Sequence, residues 1–236
     1  RFLFFYLLHP DVRHYVAERM EGSTGRQRVP EYVLLELPIP NLEPDEQKAV
    51  ADAVETIHMA ISAERACEER ARDLKRAAMQ ALFTKGLRGE AQKETEIGTI
   101  PESWDVGRLD RYATVISTRM SYSELENIDP SDDGEIVKVL GIKVADMNLP
   151  GNEVELVSAK LEKDLPRAIA EYRCAPPRTI IFPKRGAAIA TNKKRIANEW
   201  TAFDPNVIGV IGGTDLDQDF LFHWFQTFDL KTITKP

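Results

Sequence analysis

The sequence predicts a mixed α/β (α+β) domain attached to a long coiled-coil helix. Three observations predict it. The stretch from Asp45 to Lys85 contains neither glycine nor proline. Within that stretch apolar residues recur at heptad spacing. After Asp105 short apolar runs alternate with turn residues, the pattern of strands and short helices.

The chain opens on Arg1-Phe2-Leu3-Phe4-Phe5-Tyr6-Leu7-Leu8, read as an apolar helix from about Phe2 to Met20. It resembles a signal peptide in length. It lacks an initiator Met and a small-residue cleavage site, and Pro10, Asp11 and Arg13 follow at once. It is therefore expected to be a core helix within a longer protein, of which this chain is a fragment. Gly22-Ser23-Thr24-Gly25 then marks a tight turn with accessible backbone N–H groups. Val33 to Pro40 reads as a short strand, confined by its prolines to an edge or an end. These segments form a first region, 1–42.

Residues 43–85 form the long helix. Pro44 suits a first helical turn, Asp45 and Glu46 suit the positive end of the dipole, and Gly86 is a C-terminal cap. At 1.5 Å per residue such a helix is roughly 60 Å long. Its seam runs Val50, Val54, Ile57, Ile61, then, in shifted register after Cys67, Ala71, Leu74, Ala78 and Leu82. The shift near Ser62 to Ala66 reads as a stammer. One narrow seam on so long a helix requires a second long helix beside it, and the sequence holds no other.

Residues 86–104 read as an exposed linker rich in glycine and charge. Residues 105–236 read as the mixed domain. Strands are expected at Val106–Ile116, Ile136–Ile142, Val154–Leu156, Thr179–Phe182 and Val207–Ile211. A core aromatic helix is expected at Phe220–Phe228. It matches the opening of the chain in its run of Phe and Leu, so the chain reads as the end of one repeat, a spacer and the start of the next.

Composition bounds the function. Hydrophobic residues make up 43% and charged residues 29%, which is ordinary for a folded domain. No apolar run reaches the roughly 20 residues that span a bilayer. Cys67 and Cys174 lie far apart, which fits a reducing cytoplasm and no disulfide framework. The four histidines show no metal-ligand spacing. The net charge of −7 counts against DNA binding taken alone, but a binding face needs only a local basic patch.

Catalytic signatures are missing. Ala175-Pro176-Pro177-Arg178 has no acid or amide before its prolines and no aromatic residue after them, unlike a DNA methyltransferase motif. Asp73-Leu74-Lys75 and Asp229-Leu230-Lys231 match a nuclease Asp-x-Lys only trivially, without a partner acid. No P-loop is present. The chain is expected not to be an enzyme.

Four stretches in order carry a family resemblance. Leu37-Pro38-Ile39-Pro40-Asn41-Leu42-Glu43-Pro44-Asp45-Glu46-Gln47 is similar to a proline-punctuated entry into a spacer helix, normally written L-P-x-P-P-L-x-E-Q. Asn41 stands where the second proline of the pair usually sits, and Pro44-Asp45 shifts the spacing. Gly22-Ser23-Thr24-Gly25 looks like the turn that ends a target-recognition domain. Leu82-Phe83-Thr84-Lys85-Gly86-Leu87-Arg88-Gly89 looks like the exit from the spacer. Ile97-Gly98-Thr99-Ile100-Pro101-Glu102-Ser103-Trp104 resembles the opening of a recognition domain. Together they resemble the specificity subunit of type I restriction-modification enzymes.

The resemblance implies two target-recognition domains held apart by antiparallel spacer helices, each domain reading one half of a split DNA site. It implies the C-terminal part of a first domain (1–42), one spacer helix (43–85), a linker (86–104) and the N-terminal part of a second domain (105–236). The implied partners are double-stranded DNA, methyltransferase subunits, a restriction and motor subunit, and a second spacer helix from the rest of the subunit or another copy. S-adenosylmethionine, ATP and Mg belong on the partner subunits, with no cofactor on this chain. The alternative is a coiled-coil interaction scaffold that reads no DNA.

Within that frame the strongest DNA-binding segment is Phe182 to Arg195, with five positive charges and no acid. Lys184, Arg185 and Gly186 form a turn, and Asn192, Lys193, Lys194 and Arg195 follow. Asn192 can pair with adenine, Arg185 or Arg195 with guanine, and the lysines with phosphates. Ser23, Thr24, Arg26 and Arg28, with Gln27, form a second phosphate-contact candidate. Thr118-Arg119-Met120-Ser121-Tyr122 is weaker and reads as an ordinary loop. Trp104 and Trp200 read as packing residues.

Overall fold

The computed structural model describes residues 1–23, 25–117, 119–129 and 134–233, with Thr232 and Ile233 by backbone alone. The chain divides into two compact units, Arg1–Lys75 and Arg76–Pro236, and the long helix runs through the boundary.

The first unit is helical. Its opening segment is two helices, α1 (Phe2–Leu8) and α2 (Pro10–Ala17), not one. Proline forces the residue before it out of the helical region, and His9 is accordingly extended at φ −60, ψ 135. The His9 side chain then caps α2 by accepting from the Asp11 amide at 3.3 Å. The expected strand at Val33–Pro40 is absent: Glu31–Leu35 is a short helix, α3, entered from Pro30, and the prolines behind it end regular structure. Val33 packs at 1% exposure, so the apolar run is buried as a helical turn and not as a strand. The Tyr6 hydroxyl donates to the Pro38 carbonyl at 2.5 Å, which fixes α1 to the proline-rich segment.

Helix α4 spans Pro44–Lys85, 42 residues, with Asp45 and Glu46 in its first turn and Lys85 in its last. Gly86 follows at φ +61, the left-handed conformation of a glycine cap. Ala51 is its buried residue, and Phe5 of α1 stacks on His58 at 5.6 Å.

The second unit opens with an antiparallel hairpin, β1 (Gln92–Thr95) and β2 (Gly98–Pro101), in the stretch expected to be linker. Gly98, at φ +103, permits the tight reversal after Thr95. Then follow β3 (Ala113–Ile116), α5 (Tyr122–Asn127), β4 (Ile136–Ile142), β5 (Glu155–Leu156), β6 (Leu161–Pro166), α6 (Arg167–Arg173), β7 (Ile180–Pro183), β8 (Arg195–Ala197), β9 (Trp200–Phe203), β10 (Val207–Gly212) and α7 (Gln218–Gln226). Strand β3 is shorter than the expected Val106–Ile116, because a 3-10 turn at Leu109–Arg111 precedes it.

Two sheets pack between helices. The five-stranded sheet has the order β3-β10-β7-β8-β5, and the three-stranded sheet β6-β4-β9. Side chains alternate along a strand, so each sheet feeds two layers. Ile181, Ala197 and Val207 face Leu140, Ile142 and Phe203 in a core between the sheets. Ile180, Ile196 and Val210 point the other way onto Leu221, Phe222 and Phe225 of α7. Val139, Leu165 and Ala202 meet Leu125 of α5 and Ala170 of α6 on the outer face of the smaller sheet.

Candidate nucleic-acid interface

The basic segment is the excursion between β7 and β8. It leaves the sheet at Lys184, whose amide donates to the Asn206 carbonyl at 2.9 Å. Gly186 turns it at φ +64, and a 3-10 helix over Gly186–Thr191 carries it across. It returns through Asn192, which adopts the left-handed region at φ 51, ψ 28. Asn tolerates that conformation better than most residues.

The structure separates the five cations of this segment. Arg185 is exposed and Lys184 half-buried at the outgoing end. Lys193 is half-buried and bonds the Asn148 side chain. The Arg195 guanidinium bonds the Asn152 carbonyl and, at 3.0 Å, the Lys194 carbonyl. Asn152 is itself buried, with its amide bonded to the Asp146 and Ser158 carbonyls at 2.8 and 2.7 Å. Arg195 thus ties the strand to a satisfied polar network and is half-buried.

Lys194 is the largest departure from expectation. The sequence pattern points to a phosphate contact, but the side chain is 1% exposed. Its ammonium donates to Asn192 Oδ1 at 2.8 Å and to the Phe228 carbonyl at 2.5 Å, and lies 5.0 Å from the Phe228 ring centroid. Asn192 Oδ1 also accepts from the Leu230 amide at 2.9 Å. Burial pushes the Lys194 pKa down to about 8, against an opposing pull from Asp229. Asn192 and Lys194 therefore form a clasp that pins the returning end of the loop to the segment after α7. Their side chains are spent on the fold, so Lys184 and Arg185 are what the loop presents. The signal for this was Asn192 itself, since an Asn just after a short apolar stretch is a common left-handed turn residue.

The second candidate lies in the first unit. Glu21 and Arg28 form an isolated antiparallel bridge, closed by amide bonds of 2.9 and 2.8 Å. Gly22 at φ +120 and Gly25 at φ +86 make the turn, and the Arg26 amide donates to the Ser23 carbonyl at 2.9 Å. Arg28 lies 3.9 Å from Glu21, which offsets its charge, while Ser23 and Arg26 are exposed. Thr24 lies outside the described residues. The two candidates belong to different units.

The third stretch is more than a plain loop. Arg119 is exposed, Met120 is fully buried, and Ser121 caps α5 in a capping box with Glu124. Thr118 lies outside the described residues. Of the two tryptophans, Trp200 packs on the outer face of the smaller sheet, and Trp104 meets Phe220 edge-on at 6.1 Å.

Two solved structures are similar to this chain. One is described as the crystal structure of the HsdS subunit from Thermoanaerobacter tengcongensis, at 15% identity and a TM-score of 0.41. The other is described as the structural basis underlying complex assembly and conformational transition of the type I R-M system, at 15% identity and a TM-score of 0.46. Each match covers 98% of this chain and 53% of the other, so the chain spans about half the length of either. At those values the likeness carries no functional argument. No family model and no curated protein matches the chain.

The seam of α4 stands open. Val54 is half-buried, while Val50, Ile57, Ile61, Ala71, Leu74, Ala78 and Leu82 are exposed. Leu74 reaches 72% exposure and Ile57 59%. Among the described residues no helix is long and apolar enough to cross a membrane.

Proposed function

We propose that this chain is part of a specificity subunit of a type I restriction-modification system, reading one half of a bipartite DNA site and docking methyltransferase subunits. The ordered sequence stretches point to that family. The observation that carries the DNA reading is the turn at one end of the five-stranded sheet with Arg185 exposed beside half-buried Lys184, followed by the buried clasp of Lys194. An exposed arginine fork where the loop leaves the sheet suits both phosphate contact and a guanine edge. The uncovered seam of α4 is the face for a second spacer helix, from the rest of the subunit or another copy. Methylation chemistry with S-adenosylmethionine, and motor and nuclease work with ATP and Mg, then belong to the methyltransferase and restriction subunits.

The test is DNA binding by the chain assembled with its methyltransferase subunits, measured from low to moderate salt. Binding to mixed-sequence duplex is expected to fall steeply with salt. Lys184→Ala lowers affinity for every sequence alike, whereas Arg185→Ala relaxes discrimination at one base by about 1–3 kcal/mol. Absence of binding by the complete assembly removes the DNA reading. It would leave the coiled-coil scaffold, which the open seam also supports.

A further inference from the structure

We propose that Arg119, seated on Tyr172, is a second DNA-backbone contact on the same end of the five-stranded sheet as Lys184 and Arg185. This deepens the DNA-recognition reading and rests on it. The sheet register makes the placement. Strands β3 and β7 both run antiparallel to β10, with Gly209 opposite Ile116 on one side and Ile181 on the other. Both strands therefore end at the start of β10, and the loops after Ile116 and Pro183 emerge together. Two inter-strand spacings separate them, about 10 Å at the backbone.

The local chemistry fits an anion. The Arg119 guanidinium lies 5.6 Å from the Tyr172 ring centroid and donates to the Tyr172 carbonyl at 3.4 Å. Its own amide donates to the Arg173 carbonyl at 3.3 Å, so the arginine is held at both ends. Tyr172 is 72% exposed, unusual for a tyrosine packed only for stability. The nearby acids have partners: Glu124 takes Arg173 at 2.8 Å, and Glu171 takes Arg167 at 2.8 Å. Among the described residues no carboxylate pairs with Arg119. Beside it is a cavity of about 180 Å³, lined in part by Ile116, Ser117, Cys174 and Glu171, whose carboxylate is held by Arg167. That is below the roughly 300–1,000 Å³ of small-molecule sites. A guanidinium ordered on a ring presents its fork to two phosphate oxygens at little entropic cost.

The experiment is fluorescence anisotropy of a labelled mixed-sequence duplex with the methyltransferase-bound chain, between 50 and 200 mM KCl. Arg119→Gln is expected to weaken binding to all sequences and lower the salt slope by about 0.9, with Arg185→Gln as the parallel case. Arg119→Lys keeps the slope, because the charge remains. An unchanged slope for Arg119→Gln beside a reduced slope for Arg185→Gln overturns this inference and leaves the DNA reading intact. A wild type with no salt-dependent binding overturns both. Should Arg119→Gln fail to fold, phenylglyoxal labelling of the wild type decides the matter. Arg119 is expected to be protected by duplex, and labelling unaffected by duplex rejects the contact.

Discussion

Lys194 shows how one residue changes meaning when its surroundings are known. In sequence it is one of three consecutive cations, and such a run is most often a solvated phosphate-binding face. In the fold it is a buried ammonium, held by Asn192 and by the Phe228 carbonyl. Its folded pKa of about 8 lies below the ordinary lysine value near 10.4. Between those values the unfolded chain binds the extra proton, so Lys194 adds stability as pH rises through about 8. That contribution is fully present above about 10.4 and lost as pH falls through about 8. Cys174 acts in the opposite sense. Burial pushes its thiol up to about 12, so above the ordinary thiol value near 8.5 the unfolded chain sheds a proton that the fold retains. Urea denaturation of wild type and Lys194→Met across pH 7 to 10 isolates the lysine. The stability difference between them is expected to shift in favour of wild type as pH rises. A difference independent of pH would show that the lysine is not buried in solution. The same variant should leave the salt slope of DNA binding unchanged, unlike Lys184→Ala.

At the scale of elements, β10 is the strand on which the proposed DNA-contact surface depends, because it pairs with both β3 and β7. Gly209 lies at its centre, where a Cβ would stand 2.7 Å from Thr179 Cγ2. Thr179 is fully buried and β-branched, so it has little freedom to move aside. Gly209→Ala is expected to cost about 1–3 kcal/mol by overpacking, read as a lower urea midpoint at unchanged slope. A variant as stable as wild type would mean that Thr179 moves aside more easily than its burial implies. Elements were legible in proportion to their pattern. Helix α4 was visible from Asp45 to Lys85, since forty-odd residues without a breaker leave few alternatives. Strands β4 and β10 and helix α7 were visible as apolar runs bounded by turn residues. Strand β6, Leu-Glu-Lys-Asp-Leu-Pro, was hidden because it sits on a sheet edge with Glu162 and Asp164 outward and a lysine between its two leucines. Strands β8 and β9 are three and four residues long, too short for a period to register.

At the scale of the whole chain, the exposed seam of α4 sets the clearest expectation. A large exposed apolar side chain contributes little to the stability of the chain that carries it. Leu74→Glu is therefore expected to leave unfolding of the isolated chain within about 0.5 kcal/mol of wild type. The same substitution places a charge in the seam and, if that face packs on a second long helix as proposed, should abolish the pairing, read by sedimentation of wild type and variant across a range of concentrations. Persistence of that pairing would send the search for the partner face elsewhere on the helix. Net charge is a second property of the whole chain. At −7 it opposes DNA on average, so any binding must come from local groups such as Arg185, and high salt should weaken it steeply.

By itself the sequence determined the long helix, its heptad seam, the mixed α/β character of the following domain and the core role of the aromatic helix. Each rests on local periodicity or on the steric demands of glycine and proline, which act within a few residues. Tertiary structure alone decided which cations face water. Asn192, Lys194 and Arg195 bond Leu230, Phe228 and Asn152, partners 34 to 43 residues away along the chain. It alone also brought Arg119 beside Tyr172 and aligned two loop exits across β10, since strand order and register are set by packing between distant segments, which no local pattern records.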